Sequence, residues 1–80
     1  MKVKYSFQLE CSCPVDSLSD LYEVEITSTK TIRVEDILMT VETINKNDFQ
    51  ENITLAISRE IPATVKTIGY HSGIKTVCEI

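Results

Sequence analysis

Long hydrophobic runs are missing from this chain. Nothing approaches the roughly 20 consecutive apolar residues that cross a bilayer. The first residues alternate polar with apolar side chains, where a secretory leader would carry an unbroken apolar core. Cations are scarce as well: 8 Lys and Arg stand against 12 Asp and Glu, a net charge of -4. That balance argues against an autonomous, strongly basic nucleic-acid binder and leaves room only for a local basic patch. A paired set of cysteines is also absent. Three cannot all pair within one chain, and a secreted fold of this size would normally carry an even set, so free thiols in a reducing compartment fit better. Glycine and proline occur twice each, and no linker, repeat or low-complexity tract divides the chain. The expectation is one cytoplasmic, soluble domain over residues 1–80, with no membrane partner. Such a short chain buries only about 60–65% of its unfolded surface, so self-association is expected.

What is present is strong patterning. Val3, Tyr5, Phe7 and Leu9 alternate with Lys4, Ser6, Gln8 and Glu10, the period-two signature of a strand with one buried face. Residues 11–20 collect Ser, Pro and Asp and break that pattern. Tyr22, Val24 and Ile26 then alternate with Glu23, Glu25 and Thr27 as a second strand. From Val34 the period changes, and Val34, Ile37, Leu38 and Val41 form the stripe of an amphipathic helix closed by Asn45-Lys46-Asn47. Asp48 with Glu51 resembles a capping box. Behind it, Phe49, Ile53, Ala56 and Ile57 share one face until Pro62. Thr64–Tyr70 and Ile74–Ile80, rich in Val, Ile, Thr and Tyr, flank His71-Ser72-Gly73 as a hairpin, with Cys78 read as core.

The order β-β-α-α-β-β predicts an α+β fold: an antiparallel sheet with two helices laid over one face. Such a sheet has two open edges, and edges on a small domain are templates for another chain. Joining subunits edge to edge removes them, which predicts a homo-oligomeric ring, alone or as two stacked rings.

Chemistry concentrates around Cys13-Pro14-Val15 and Asp20. A thiol acts as a nucleophile only as thiolate, and an unperturbed one with a pKa of about 8.5 is a few per cent ionised at neutral pH, so a neighbouring proton-transfer group matters. Asp20 is the nearest candidate. Cys11, Cys13, His71 and Cys78 offer an alternative, a zinc set, although the Cys-x-Cys spacing is less typical than Cys-x-x-Cys and no second paired motif accompanies it.

Element order and these residues together resemble the tunnelling fold, whose members bind purine- or pterin-like rings. Within it, the chain is similar to the 7-cyano-7-deazaguanine nitrile reductases and their short amidinotransferase branch, the archaeosine synthases. Their Cys-Pro-Val, with an Asp seven residues after the Cys, matches Cys13, Pro14, Val15 and Asp20. Their ring-anchoring Glu, in a Phe-His-Glu context, matches Glu51 within Phe49-Gln50-Glu51. Tyr70-His71-Ser72-Gly73-Ile74 falls where the reductases carry Arg-Gly-Gly-Ile.

Two departures separate the chain from the reductases. Their nicotinamide-phosphate segment, Glu-Ser-Lys-Ser-apolar-Lys, corresponds here to Glu35-Asp36-Ile37-Leu38-Met39-Thr40, without either lysine. The Arg at the position of His71 is lost as well. A polyphosphate cofactor needs cations or helix-end amides. The resemblance therefore implies an amidinotransferase without a cofactor, which converts the nitrile of 7-cyano-7-deazaguanine, in tRNA or as the free base, into the amidine of archaeosine with ammonia. NADPH-dependent reduction, zinc-dependent cyclohydrolase chemistry and a non-catalytic ring-forming purine-binding module are the alternatives. Cys13 would be the nucleophile and Asp20 the proton donor, which requires a cavity around Asp20 because an exposed carboxyl is no acid at neutrality. Glu51, Phe49 and His71 would bind substrate, and Lys2, Lys4, Lys30 and Arg33 would supply a positive strip for tRNA phosphates.

Overall fold

Alternation of apolar and polar side chains builds the sheet, and the computed structural model describes all of residues 1–80. Strands β1 (Val3–Ser12) and β2 (Ser19–Ser28) pair antiparallel from Val3 opposite Ser28 to Ser12 opposite Ser19. Both strands run further into the 11–20 segment than the sequence pattern indicates. Helices α1 (Val34–Thr43) and α2 (Gln50–Glu60) follow, then β3 (Thr64–His71) and β4 (Ile74–Glu79). The sheet order is β1-β2-β3-β4, antiparallel throughout, with both helices on one face. β1 and β4 are its edges.

The core is where that face meets α2. Val24, Ile26, Ile53, Ile57 and Val65 are completely buried, joined by Leu9, Tyr22, Ile37 and Ile61. Each such aliphatic side chain contributes about 1.5–3 kcal/mol on burial, so β2, α2 and β3 carry the stability. α1 departs from its predicted stripe. Only Ile37 is buried and Val41 is half-buried, while Val34, Leu38 and Met39 are more than half exposed. α1 packs against α2 and enters the core through Ile37, with Val41 partly packed against it, so a narrower stripe is covered. Cys78 is half-buried on β4 and is not part of the core.

The ends of the helices also differ from expectation. α2 begins at Gln50 with Phe49 as N-cap, and no side chain caps it. Asp48 accepts instead from the Phe49 N–H at 2.7 Å and from Asn52 Nδ2 at 2.9 Å. A capping box is therefore not formed, because Glu51 stands one position too early to reach back. At the end of α1, Lys46 Nζ donates to the carbonyls of Val41 (2.7 Å), Glu42 and Ile44 (both 3.4 Å). The loop after it is tied to β1: the Ser12 N–H donates to Lys46 O at 2.9 Å, and Ser12 Oγ donates to Asn47 Oδ1 at 3.0 Å.

Two turns complete the frame. In the β1–β2 turn the Cys13 N–H donates to Leu18 O and the Ser17 N–H to Cys13 O, at 2.9 and 2.8 Å. The β3–β4 hairpin closes with Ser72 and Gly73, both at positive φ (53° and 83°), the two-residue geometry that matches strand twist. No helix is long and apolar enough to cross a membrane.

Candidate functional site

Strand register decides which side chains share a surface. Cys11 lies opposite Asp20 and Leu9 opposite Tyr22, so Asp20 and Tyr22 face the helices. On the other half of the sheet, Gly69 lies opposite Thr76 and His71 opposite Ile74, and this row faces the helices too. The N-terminus of α2 arrives between the two halves. Cys13, one step beyond the end of β1, reaches the same place.

The result is a cleft of about 300 Å³ whose walls include Cys13, Asp20, Phe49, Glu51 and His71. All five residues singled out from the sequence for catalysis or substrate binding are brought together within one protomer. Cys13, Asp20 and His71 are half-buried, whereas Glu51 and Phe49 stand exposed at the first turn of α2. A carboxylate at that turn also gains from the helix dipole.

The zinc set is not brought together. Cys11 is buried in the core and borders a separate polar hollow with Glu10 and Lys46, and Cys78 lies by Thr54 and Leu55. Only Cys13 and His71 of those four line the main cleft, and no group of three or more His, Cys, Asp or Glu side chains is arranged to hold a metal ion. The supposed positive strip is also weakened. Lys4 pairs with Glu25 at 3.3 Å and Arg33 with Glu35 at 3.6 Å.

Four wall residues were not read from the sequence as part of a site: Tyr22, Asp48, Gln50 and Thr76. Tyr22 is 2% exposed and lies over Gly69, where a side chain has no room. Its ring centroid is 6.0 Å from that of His71. Burial, and next the adjacent Asp20 charge, hold its phenol well above the ordinary range. Gln50, 3% exposed, donates from Nε2 toward Thr67 O (3.1 Å), Thr67 Oγ1 (3.1 Å) and Thr76 O (3.0 Å), and its Oε1 lies 2.9 Å from His71 Nε2. Its position between Phe49 and Glu51 was the one available hint. The carbonyls it serves are 17 and 26 residues away, out of reach of any local pattern.

Electrostatically the cleft is acidic. Asp20, Asp48 and Glu51 line it and no Lys or Arg does. Hydrogen bonds from Asn52 and from the Phe49 N–H hold the Asp48 carboxyl below its usual range. Burial pushes the Cys11 thiol, just behind the cleft, up to about 11; Lys46 opposes the rise, and Asp20 and Glu10 add to it. Such a cleft favours ligands rich in N–H donors and disfavours polyanions.

No protein-family model matches the sequence, and no curated protein matches it. Among solved structures, that of the archaeosine synthase QueF-like in the apo form superposes with a TM-score of 0.81 at 14% identity, covering 99% of this chain and 90% of that one. At that identity the likeness speaks to architecture, and it agrees with the element order and sheet topology described above. The chain has the tunnelling fold, the β-β-α-α-β-β architecture seen in the archaeosine synthase QueF-like structure.

Proposed function

We propose that the protein is an amidinotransferase that converts the nitrile of 7-cyano-7-deazaguanine into the amidine of archaeosine, with ammonia as nitrogen donor. The observation that carries this reading is the convergence of Cys13, Asp20 and Glu51 on one cleft. The Cys13 thiolate adds to the nitrile carbon while Asp20 delivers a proton to the nitrogen, giving a thioimide. Ammonia attacks that carbon, and expulsion of the Cys13 thiolate leaves the amidine. Glu51 accepts hydrogen bonds from the ring N–H and the exocyclic amine of the guanine-like edge. Phe49 covers the ring at the mouth of the cleft, and His71 stands at its inner end beside Tyr22.

Charge favours this reaction over nicotinamide-dependent reduction. The amidine product is a cation with several N–H donors, suited to walls bearing Asp20, Asp48 and Glu51, whereas a cofactor carrying several phosphates would meet three carboxylates and no cation there. The residues present do not fit that cofactor. In cells we place the protein in the cytoplasm as a ring of subunits joined through the free edges of β1 and β4, acting on tRNA-borne or free base.

The test is direct. Incubated with the nitrile base and no ammonia, the protein should gain the mass of one thioimide adduct, and Cys13→Ala should gain none. Asp20→Asn should form it on the order of 10² to 10⁴-fold more slowly. Absence of any adduct from pH about 6 to about 9 refutes covalent trapping. RNA binding that is absent, or insensitive to salt, would identify the free base as substrate.

A further inference from the structure

We propose that His71 is the base that removes the proton from the incoming nitrogen nucleophile, with Gln50 as the positioning residue that fixes its tautomer. This rests on the amidine-forming reaction above and assigns it a third catalytic residue.

Hydrogen-bond direction carries the inference. Gln50 Nε2 lies 3.1 Å from Thr67 O and 3.0 Å from Thr76 O, and backbone carbonyls only accept, so the amide cannot be turned around. Its Oε1 therefore faces His71 Nε2 at 2.9 Å, and that nitrogen must be the donor. The rest of the network agrees. Thr54 Oγ1 has one proton and gives it to Gln50 O at 2.8 Å. In the 2.7 Å contact between Thr54 and Thr67, Thr67 is therefore the donor, and its oxygen stays free to accept from Gln50 Nε2.

A neutral His71 held in this way carries its lone pair on Nδ1. No protein group hydrogen-bonds that atom, whereas Nε2 is tied to Gln50. The imidazole shares its cleft with Cys13 and Asp20, the two groups that would make the thioimide. Around it stand the carboxylates of Asp20 from β2 and of Asp48 and Glu51 from the start of α2, the Cys13 thiol and the Tyr22 phenol. β4 contributes only the uncharged Thr76 and Ile74. No Lys or Arg lines the cleft.

The chemistry requires such a base at one point. A thioimide carrying a second proton from water on its nitrogen is attacked at carbon by the ammonia lone pair, and the π pair of the C=N bond moves to the original nitrogen. The added nitrogen now bears a positive charge and one proton too many. That proton passes to His71 Nδ1. A nitrogen lone pair then re-forms a C=N bond as the C–S bond breaks, its electron pair leaving on the Cys13 sulfur, and the amidinium departs. The proton on His71 restores Asp20, which gave its own in the first half. Asp20 as carboxylate is the weaker candidate for the middle step, because imidazoles as a class are stronger bases than carboxylates.

The two half-reactions separate the tests. Adduct is first formed from the full chain and the nitrile base without ammonia. Ammonium chloride is then added, and adduct loss and amidine release are followed by intact mass across pH. Measured against its own rate of adduct formation, His71→Phe should discharge adduct on the order of 10²-fold more slowly than the parent does. Its discharge rate should also lose the parent's pH limb and follow only the free-ammonia fraction. Added imidazole should restore part of the rate to His71→Ala, which a structural loss would not permit. Gln50→Leu should give an intermediate slowing of discharge when set against its own rate of adduct formation. Discharge of His71→Phe adduct at the parent rate and with the parent's pH profile would overturn the role of His71 alone. A parent protein that forms no adduct would overturn this inference together with the proposed function.

Discussion

Gly69→Ala is the sharpest probe of how the cleft is built. A Cβ on Gly69 would lie 2.5 Å from Tyr22 Cε1 and no farther from Cδ1, inside the 3.0 Å that real Cβ atoms respect. A flexible side chain at the surface would swing aside cheaply. Tyr22 cannot, since it is 2% exposed, a rigid ring, and bordered by the His71 imidazole. Overpacking of this kind costs about 1–3 kcal/mol, and the reduced freedom of alanine in the unfolded chain returns about 0.4–1 kcal/mol. The net expectation is a destabilisation of about 1–2 kcal/mol, read in urea as a lower midpoint at unchanged slope. In a Tyr22→Ala background the same change should be neutral or slightly stabilising, a coupling of about 1–3 kcal/mol. Because Tyr22 lines the cleft, displacing its ring by Gly69→Ala should also slow adduct formation. A Gly69→Ala protein as stable as its parent, with no coupling to position 22, would refute the packing argument.

The raised Cys11 thiol predicts a definite alkaline signature. Below pH 9 the thiol is protonated in both folded and unfolded chains and contributes no slope. Between 9 and about 11 only the unfolded chain ionises there, so this thiol should lower stability by about 1.4 kcal/mol per pH unit, a share that Cys11→Val removes and that is read cleanly below pH 10, where the raised Tyr22 phenol does not yet add to it. A stability profile flat over that range would contradict the burial of the thiol. In the β3–β4 turn, Ser72 holds φ 53°, a conformation asparagine tolerates better. Ser72→Asn should therefore raise stability by about 0.5 kcal/mol, seen as about 2–4 °C in thermal unfolding.

Much of the architecture was legible because the strands obey a strict period of two. Tyr22, Val24 and Ile26 fall on the buried face as their spacing dictates. Helix α1 was legible in position but not in contacts. Its stripe over Val34, Ile37, Leu38 and Val41 says that one side is apolar, not how much of that side a neighbour covers, and only Ile37 is fully covered. The Asp48–Glu51 cap failed for a related reason: a helix start one residue later or earlier is invisible to pattern, and it changes which carboxylate can reach which amide. In the cleft, the residues that carry reactive groups were legible by type. Gln50 was not, because an amide acquires meaning only from the carbonyls of Thr67 and Thr76 that the fold carries to it.

The tie between Ser12 and the Lys46–Asn47 loop bears on how ligands are received. It ties the end of the strand that leads into Cys13 to the segment that leads into Phe49 and Glu51, which sets the spacing of the two jaws. On the proposed function, a planar base would meet a mouth already set, and its arrival rate should follow diffusion and charge rather than a hinge.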